Sequence, residues 1–331
     1  MKKGLLLINL GTPDSTNSSD IKRYLRQFLT DKRVIDIPTL VRYLLVYGLI
    51  VPFRSKNTAH AYQSIWTSRG SPLMVYSQEL ASATQQLLRD EYQVALGMRY
   101  GSPSIEQALE ELKTCHEMTI IPLYPQYSSA ATGSSMEEVM RILSQREVIP
   151  SLHLISDFYD NRAFISSQSA LIQSHLSKQS HLLFSYHGIP ERHIIKGGCK
   201  TVCSEDCLPI TLKNQACYRA QCFETSRLIA QELKLSPQQY STAFQSRLGK
   251  TPWIRPYTDE ILSELIERGI QNLAVSCPSF TVDCLETLEE IGLRLKEAWV
   301  HLGGKGFSLI PCLNSNKFWV EALVELVKSR V

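Results

Sequence analysis

The residue best placed for chemistry is a histidine at the end of an apolar run. His187 closes the run 181–187, which Gly188 and Pro190 then interrupt. Such a run predicts a buried strand, and Gly and Pro are typical of its end. The imidazole is therefore expected at the carboxyl end of a strand, where α/β folds usually place their chemistry.

Three carboxylates form the second candidate group. Asp283, Glu286 and Glu290 stand at i, i+3 and i+7 of the segment 282–292, which has helical periodicity. This spacing predicts that all three carboxylates share one face of a helix. Because like charges repel, something must offset the repulsion, and a proton or a passing cation would do so.

The elements that must position these residues alternate between strand and helix along the whole chain. Eight short apolar, β-branched runs are separated by stretches of helical periodicity. This alternation predicts an α/β fold of two doubly wound domains, 1–155 and 156–331, each with a four-stranded parallel sheet. The last helix, 316–328, is expected to pack on either domain. The predicted strands are 5–9, 93–98, 119–123, 151–155, 182–186, 240–245, 272–276 and 307–311, and the predicted helices include 73–89, 105–113, 134–144, 164–177 and 260–268.

A single eight-stranded barrel is the rival architecture. It would require more even spacing between the strands. The segment 187–240, which contains the cysteine-rich segment 197–223, is too long and too rich in cysteine for a barrel. The two-domain interpretation is therefore favoured, and two domains favour a cleft.

Length and charge narrow the class of function. The chain has 331 residues and a net charge of +3, with no dense block of Lys and Arg. Such a mild charge argues against a nucleic-acid partner and favours small-molecule chemistry. The first apolar run is shorter than the core of a signal peptide, and the turn at 11–13 breaks it. We therefore expect a cytoplasmic protein.

The segment 38–56 contains the longest apolar stretch, from Leu40 to Phe53. This stretch includes Arg42 and falls short of the roughly 20 residues that a membrane-spanning helix needs. Two interpretations stay open. The segment could form a lip that lies on a membrane surface as a peripheral contact, or it could be a core helix or a helical hairpin over a pocket.

Five of the nine cysteines lie close together in the sequence. In a cytoplasmic chain stable disulfides are disfavoured, so clustered thiols indicate metal or cluster ligation. Four thiolates suit either zinc or an iron–sulfur cluster, and the spacing matches no pair of Cys-x2-Cys knuckles. A loop of free cysteines that bind nothing is also possible. The five are Cys199, Cys203, Cys207, Cys217 and Cys222.

Motifs spread over nearly the whole chain resemble those of the ferrochelatases, which insert ferrous iron into a porphyrin in the last step of haem synthesis. No glycine-rich dinucleotide motif or P-loop follows any predicted strand. The resemblance implies a lyase that acts without ATP, with two flavodoxin-like domains and a porphyrin cleft between them. The motifs are 8–13, 70–72, 97–100, 124–128, 132–135, 185–190, 244–246, 252–253, 256–260 and 283–288.

The resemblance also implies roles for individual residues. His187 would accept pyrrole protons or first meet the iron, with Glu286 as the facing carboxylate. Glu290 and Asp283 would continue an acidic route for iron or protons. The substrate-binding residues would be Leu10, Tyr62, Trp253 and Phe280 around the ring, with Ser71, Arg99 and Arg54 at the propionates. The chain departs from many members at Cys284, where they have His, and at Arg294, where they have an acid.

Some bacterial members of the family carry a [2Fe–2S] cluster on an internal cysteine-rich segment, and residues 214–222 resemble that variety. This implies cluster ligands at Cys207, Cys217 and Cys222, with Cys199 or Cys203 as the fourth, and zinc as the rival metal. The apolar lip favours protoporphyrin IX over coproporphyrin III as substrate. A cobalt or nickel chelatase of the same fold and a non-enzymatic haem or metal carrier are the competing functions. Monomer and homodimer both fit the sequence.

Overall fold

The computed structural model describes residues 2–203, 207, 209–247, 249 and 251–329. The chain divides into two compact units. Unit 1 comprises the chain up to Tyr124, Ser128–Asp157 and the chain from Asn314, and unit 2 comprises Pro125–Tyr127 and Phe158–Leu313. Each unit contains one four-stranded parallel sheet. The predicted α/β fold with two such sheets is confirmed, and the single barrel is excluded.

Unit 1 is built on a sheet of strand order β2-β1-β3-β4. Residues 5–8 of the first strand are fully buried, as expected for a parallel strand covered on both faces. Leu6 and Ile8 pack with Leu109 and Val139 of the covering helices. The strands are β1 (Lys3–Gly11), β2 (Tyr92–Tyr100), β3 (Glu117–Pro122) and β4 (Ser151–Leu154).

The helices of unit 1 include the last helix of the chain, which packs on the helix that begins at Pro72. They are α1 (Ser18–Leu29), α2 (Thr39–Leu45), α3 (Val51–Ile65), α4 (Pro72–Leu88), α5 (Ile105–Glu111), α6 (Ser134–Leu143) and α12 (Lys317–Lys328), with π-helices at Val46–Ile50 and Ser129–Gly133.

The predicted lip is one helical run rather than a hairpin. Helix α2 continues through the π-helix Val46–Ile50 into α3. Leu40, Leu44 and Phe53 are 73%, 67% and 74% exposed. Arg42 is buried and donates a hydrogen bond to the carbonyl of Ile37 at 2.9 Å. Among the described residues, no helix has the length and apolar character needed to cross a membrane.

Unit 2 repeats the strand order of unit 1, as β6-β5-β7-β8. Its core packs Leu183 and Val275 of the central strands against Leu262 and Trp299 of the covering helices. The strands are β5 (His181–His187), β6 (Tyr240–Gln245), β7 (Asn272–Ser276) and β8 (Gly306–Leu309). The helices are α7 (Arg162–His175), α8 (Glu191–Lys196), α9 (Tyr218–Glu232), α10 (Ile261–Glu267) and α11 (Lys296–His301), with a π-helix at Glu286–Leu295 and a 3₁₀-helix at Pro237–Gln239.

The predicted helix over 282–292 is wrong in its start and in its type. The helical segment is the π-helix Glu286–Leu295, with i→i+5 hydrogen bonds, and Asp283 precedes it. The prediction that Asp283 shares a helix face with Glu286 and Glu290 is therefore wrong. In a π-helix of roughly 4.4 residues per turn, residues four apart still lie near one face, so the two glutamates remain neighbours.

Candidate functional site

His187 lies at the carboxyl end of β5, the inner strand of the unit 2 sheet. Its Nδ1 is 2.6 Å from the carbonyl oxygen of Gly188. Because a carbonyl can only accept, Nδ1 must carry the proton, which leaves the lone pair of a neutral imidazole on Nε2. No described residue forms a hydrogen bond with Nε2. The predicted strand-end histidine is thus oriented with one nitrogen available for a proton or a metal ion.

The neighbouring strand end fixes the backbone beside this imidazole. His187 pairs with Gln245 in the parallel register of β5 and β6, and the Gly188 amide donates to the Gln245 carbonyl at 2.8 Å. A Cβ atom on Gly188 would lie 2.8 Å from that oxygen and 3.3 Å from the Trp253 ring. Glycine is therefore required for this close approach.

Glu290 is held next to the same strand end. The backbone amide and the hydroxyl of Ser246 donate to its two carboxylate oxygens at 2.9 and 2.5 Å. Burial raises the pKa of Glu290 above its ordinary value, and the charge of Glu286 adds to the rise. The Ser246 hydrogen bonds, His187 and Arg294 oppose the rise. Glu286 and His187 are thus both close enough to Glu290 to act on it electrostatically.

Glu286 begins the π-helix, and its backbone carbonyl accepts a hydrogen bond from the Gln245 side chain at 2.9 Å. Its carboxylate neighbours the buried thiol of Cys284. Burial, then the charge of Glu286 and its hydrogen bond, raise the pKa of that thiol well above its ordinary value. The residue that replaces the family's histidine is therefore a protonated thiol directed at Glu286.

Asp283 is buried and its carboxylate is already engaged. It accepts hydrogen bonds from the backbone amide of Cys312 at 3.2 and 3.3 Å and from the Thr287 hydroxyl at 2.9 Å. These bonds tie the segment after β8 to the start of the π-helix. A place for Asp283 on a metal route stays a prediction.

The second departure from the family's acidic line, Arg294, forms an ion pair. Arg294 donates to both carboxylate oxygens of Glu289 at 2.9 and 3.0 Å within the π-helix. Its positive charge also lowers the pKa of Glu290. The side chain that follows Glu290 in the expected row of acids is thus a cation paired with Glu289.

Two of the predicted porphyrin-binding residues belong to unit 2. Phe280 contacts the imidazole of His187 edge-on, with ring centroids 6.3 Å apart. Trp253 borders a cavity of about 400 Å³ together with Arg247 and Tyr257. Both aromatic rings therefore lie on the unit that carries the histidine.

The other predicted binding residues belong to unit 1. Tyr62 is buried and packs edge-on against Tyr24 and Trp66, whereas Leu10 is half-buried and Arg54 is exposed. The buried Ser71 hydroxyl accepts from Thr12 at 2.8 Å. Their porphyrin contacts stay predictions.

Arg99 is the binding candidate with the fullest set of partners. Its Nη2 pairs with the Asp31 carboxylate at 2.7 Å, and its Nε donates to the Ser134 hydroxyl at 2.7 Å. The Tyr100 hydroxyl donates to the same carboxylate at 2.9 Å. A propionate would therefore have to compete with an existing buried ion pair for this guanidinium.

The cysteine group, defined as Cys199, Cys203, Cys207, Cys217 and Cys222, comes together at the start of α9. Burial, followed by the hydrogen bond with Cys217, raises the pKa of Cys199 to about 11. Burial raises the pKa of Cys207 to about 12, against the effect of Arg219, whose Nη1 donates to its sulfur at 2.9 Å. Burial raises the pKa of Cys222, and the charges of Cys217 and Cys207 add to the rise. Each of the five thiols acts on at least one other.

No ready-made metal site is found within the described part of the chain. There, no three His, Cys, Asp or Glu side chains are arranged to hold a metal ion. The five thiols approach one another without adopting a ligation geometry.

Four residues of this site were not predicted from the sequence: Gln245, Ser246, Ser279 and Tyr218. The motif at 244–246 could have indicated the first two, because it ends a predicted strand as His187 does. Ser279 accepts a hydrogen bond from the His187 amide at 3.1 Å. No local pattern singled out Ser279 or Tyr218, because their partners are distant in the sequence.

The site lies at the carboxyl edge of a doubly wound sheet, where α/β enzymes place their chemistry. It combines a histidine that has a free nitrogen with two interacting carboxylates, which is typical of an enzyme that binds and transfers protons or cations. The family model for ferrochelatase matches residues 2–331. The chain belongs to the ferrochelatase family, and its function is that of a metal chelatase of the lyase class in haem synthesis.

The relatives are close over their full length. The chain is 59% identical over 331 residues to the ferrochelatase of Legionella pneumophila strain Corby, covering 100% of both chains. It is 51% identical over 334 residues to the ferrochelatase of Coxiella burnetii, covering 99% of this chain and 93% of that one. The predicted family is thereby confirmed.

Solved structures agree on the fold. SirB from Bacillus subtilis with Fe³⁺ has a TM-score of 0.56 at 11% identity and covers 100% of this chain and 96% of that chain. The sirohydrochlorin chelatase SirB from Bacillus subtilis subspecies spizizenii in complex with cobalt has a TM-score of 0.53 at 10% identity, with 100% and 95% covered. At such low identity the likeness concerns the fold alone.

Proposed function

We propose that this protein inserts Fe²⁺ into protoporphyrin IX, with His187 as the residue that accepts a pyrrole proton. The observation that carries this proposal is the orientation of the imidazole. Its Nδ1–H is engaged by the Gly188 carbonyl, so the Nε2 lone pair is free, and the carboxyl group of Glu290 lies within electrostatic reach of the imidazole.

The reaction requires a base because a free-base porphyrin carries two N–H bonds. Both N–H bonds break as Fe²⁺ forms its bonds to the ring nitrogens, and two protons leave. Nε2 of His187 can take one proton at a time and then return it to solvent. The net change exchanges two protons for one divalent cation, so no electron transfer or nucleotide is needed.

Glu286 and Glu290 are proposed to bind or transfer the protons and the cation that the reaction exchanges. The raised pKa of Glu290 brings its proton exchange closer to neutral pH, which suits a carboxylate that relays protons. Glu286 acts electrostatically on both Glu290 and the buried Cys284 thiol, and it is proposed as the facing carboxylate.

An anaerobic assay tests this function. Purified protein is mixed with Fe²⁺ and protoporphyrin IX, and loss of free-base absorption is followed for the wild type, His187→Ala and the control His175→Ala. His175 is exposed at the end of α7. We expect haem formation by the wild type and the control, and a fall in kcat of at least about 10²-fold for His187→Ala.

Full activity in His187→Ala would refute the assigned role of the imidazole. Coproporphyrin III and Co²⁺ serve as competing substrates in the same assay. Faster turnover of coproporphyrin III would replace protoporphyrin IX as the substrate, and porphyrin binding without metallation in the wild type would favour a haem or metal carrier.

We further propose that the cysteine group binds a [2Fe–2S] cluster through Cys199, Cys207, Cys217 and Cys222. Four thiolates are the ligand set of such clusters, and bound clusters supply a one-electron couple or a structural link. The group fits this donor set because its thiols approach one another and the buried Arg219 offsets thiolate charge at Cys207. Cys199 is half-buried and hydrogen-bonded to Cys217, whereas Cys203 is exposed, so Cys199 is favoured as the fourth ligand.

Metal and sulfide analysis of single Ser variants tests the ligand set. We expect about two iron and two sulfide per chain in the wild type and in the control Cys203→Ser. Cys199→Ser, Cys207→Ser, Cys217→Ser and Cys222→Ser should lose both. Zinc in place of iron and sulfide would favour a zinc site, and full metal content in all four variants would refute the site.

We also propose that the protein acts in the cytoplasm at a membrane surface, with the exposed apolar residues of the lip as the contact. Leu40, Leu44 and Phe53 face solvent, and Lys56 follows them as a partner for anionic headgroups. Sedimentation velocity would distinguish the monomer from the homodimer.

A further inference from the structure

Tyr218 lies between the cysteine group and the backbone of His187 in unit 2. It is the first residue of α9, directly after Cys217, and only 6% exposed. Cys222 stands four residues further on, which places it next to Tyr218 on the same helix face. Tyr218 and the Cys222 thiol also act on one another electrostatically. Tyr218 therefore lies beside the cysteine group.

The Tyr218 hydroxyl holds the backbone of the histidine. It donates to the carbonyl oxygen of His187 at 2.7 Å. The amide on the other side of that peptide, the Gly188 N–H, donates to the Gln245 carbonyl, and the His187 amide donates to Ser279. Of these three residues, Tyr218, Gln245 and Ser279, only Tyr218 lies in the cysteine-rich segment 197–223.

The orientation of the imidazole depends on this backbone. The oxygen that fixes Nδ1–H belongs to Gly188, the next residue along the chain. If the His187 carbonyl lost its hydrogen bond, the Gly188 carbonyl could rotate, and the ring would lose the acceptor that selects one tautomer. Small displacements of this kind matter, because a misplacement of about 1 Å can cost about 10²-fold in rate.

We propose that Tyr218 is a positioning residue for His187 and that it couples the cysteine group to the reaction site. This inference rests on the proposed role of His187 as base. Tyr218 does not touch the substrate. It acts by holding the peptide that orients the imidazole, and it does so from a helix turn whose place is set by Cys217 and Cys222.

Tyr218→Phe tests the positioning role, because it removes only the hydroxyl. Tyr186→Phe is the matched control, since Tyr186 is also buried and its hydroxyl is hydrogen-bonded to Ser226 at 2.9 Å rather than to His187. We expect Tyr218→Phe to lower kcat about tenfold, with the KM for protoporphyrin within about twofold of the wild type. The control should keep both constants.

The tautomer of His187 can be measured without turnover, so this measurement tests the positioning role independently of the proposed function. In protein labelled with ¹⁵N-histidine, the His187 signals, assigned by their loss in His187→Ala, should show a single Nδ1–H tautomer in the wild type and in Tyr186→Phe. They should show mixed tautomers in Tyr218→Phe. If the wild type fails to metallate protoporphyrin, the proposed function fails, yet these signals still decide the positioning role.

A double-mutant cycle tests the coupling. Cys222→Ser is combined with Tyr218→Phe, and thermal unfolding checks that each variant is folded. We expect the effects of the two substitutions on the His187 signals to be non-additive. If Cys222→Ser does not fold, Cys217→Ser replaces it. Additive effects would overturn the coupling, and unchanged His187 signals in Tyr218→Phe would overturn the positioning role.

Discussion

Ser246 holds the carboxylate of Glu290 with two hydrogen bonds, one from its backbone amide and one from its hydroxyl. Ser246 itself has a φ of +68°, in the left-handed region that favours glycine. This conformation directs both donors of one residue toward the same carboxylate. The strand end next to His187 is therefore shaped to hold an acid.

Two substitutions of Ser246 separate the effect of its hydroxyl group from the effect of its positive φ. Ser246→Ala and Ser246→Gly both remove the hydroxyl, and both should lower kcat by about threefold to tenfold because Glu290 loses a charge-assisted hydrogen bond. Only Gly adopts the positive φ without strain, so Ser246→Gly should be more stable than Ser246→Ala by about 1 kcal/mol. Steady-state kinetics and urea unfolding measure the two effects. Equal stability of the two variants would contradict the argument from φ.

Glu290 should make the stability of the fold depend on pH. Burial raises its pKa, so the folded chain binds this proton more tightly than the unfolded chain does. The stability it contributes is then complete below the unfolded pKa of about 4.3 and is lost as the pH rises through the raised folded pKa. Glu290→Gln cannot ionise, so its Tm should exceed that of the wild type by about 2 °C at pH 8.

The difference between Glu290→Gln and the wild type should disappear near pH 4. Calorimetry at a series of pH values measures it, with the exposed Glu147→Gln as control. A lower Tm for Glu290→Gln at pH 8 would show that the Ser246 hydrogen bonds outweigh the burial of the charge.

Glu286 and Glu289 provide a matched pair within one π-helix. The carboxylate of Glu286 acts on Glu290 and on the Cys284 thiol, whereas that of Glu289 pairs with Arg294. We expect Glu286→Gln to lower kcat by about 10²-fold or more, since it removes a charge at the reaction site. Glu289→Gln should stay within about threefold of the wild type in the same chelatase assay. Similar losses in both variants would indicate a helix-wide effect.

The lip should determine membrane binding. Leu44→Glu and Phe53→Glu should each weaken binding to vesicles of phosphatidylcholine and phosphatidylglycerol by about tenfold, because an apolar side chain then no longer enters the interface. Leu212→Glu is the control, as Leu212 is an exposed leucine in the other unit. Co-sedimentation measures the bound fraction. Unchanged binding in the lip variants would remove the lip from the proposal.

The eight strands, the two sheets and the family were predictable from the amino-acid sequence alone. Apolar runs bounded by turn residues are local signals, because each strand of a covered parallel sheet must be apolar along its own length. The same signal placed His187 at the carboxyl end of β5. The lip was also visible as a single apolar stretch, although its continuous helix was not.

The residues that surround His187 could not be predicted in this way, because the folding of the chain brings them together. The register of β5 against β6 brings Gln245 and Ser246 to it, and α9 brings Tyr218. The structure also places Asp283 before the π-helix, where its carboxylate accepts a hydrogen bond from the Cys312 amide. These contacts join residues far apart in the chain, and local periodicity contains no information about strand order, register or the i→i+5 hydrogen bonds of a π-helix.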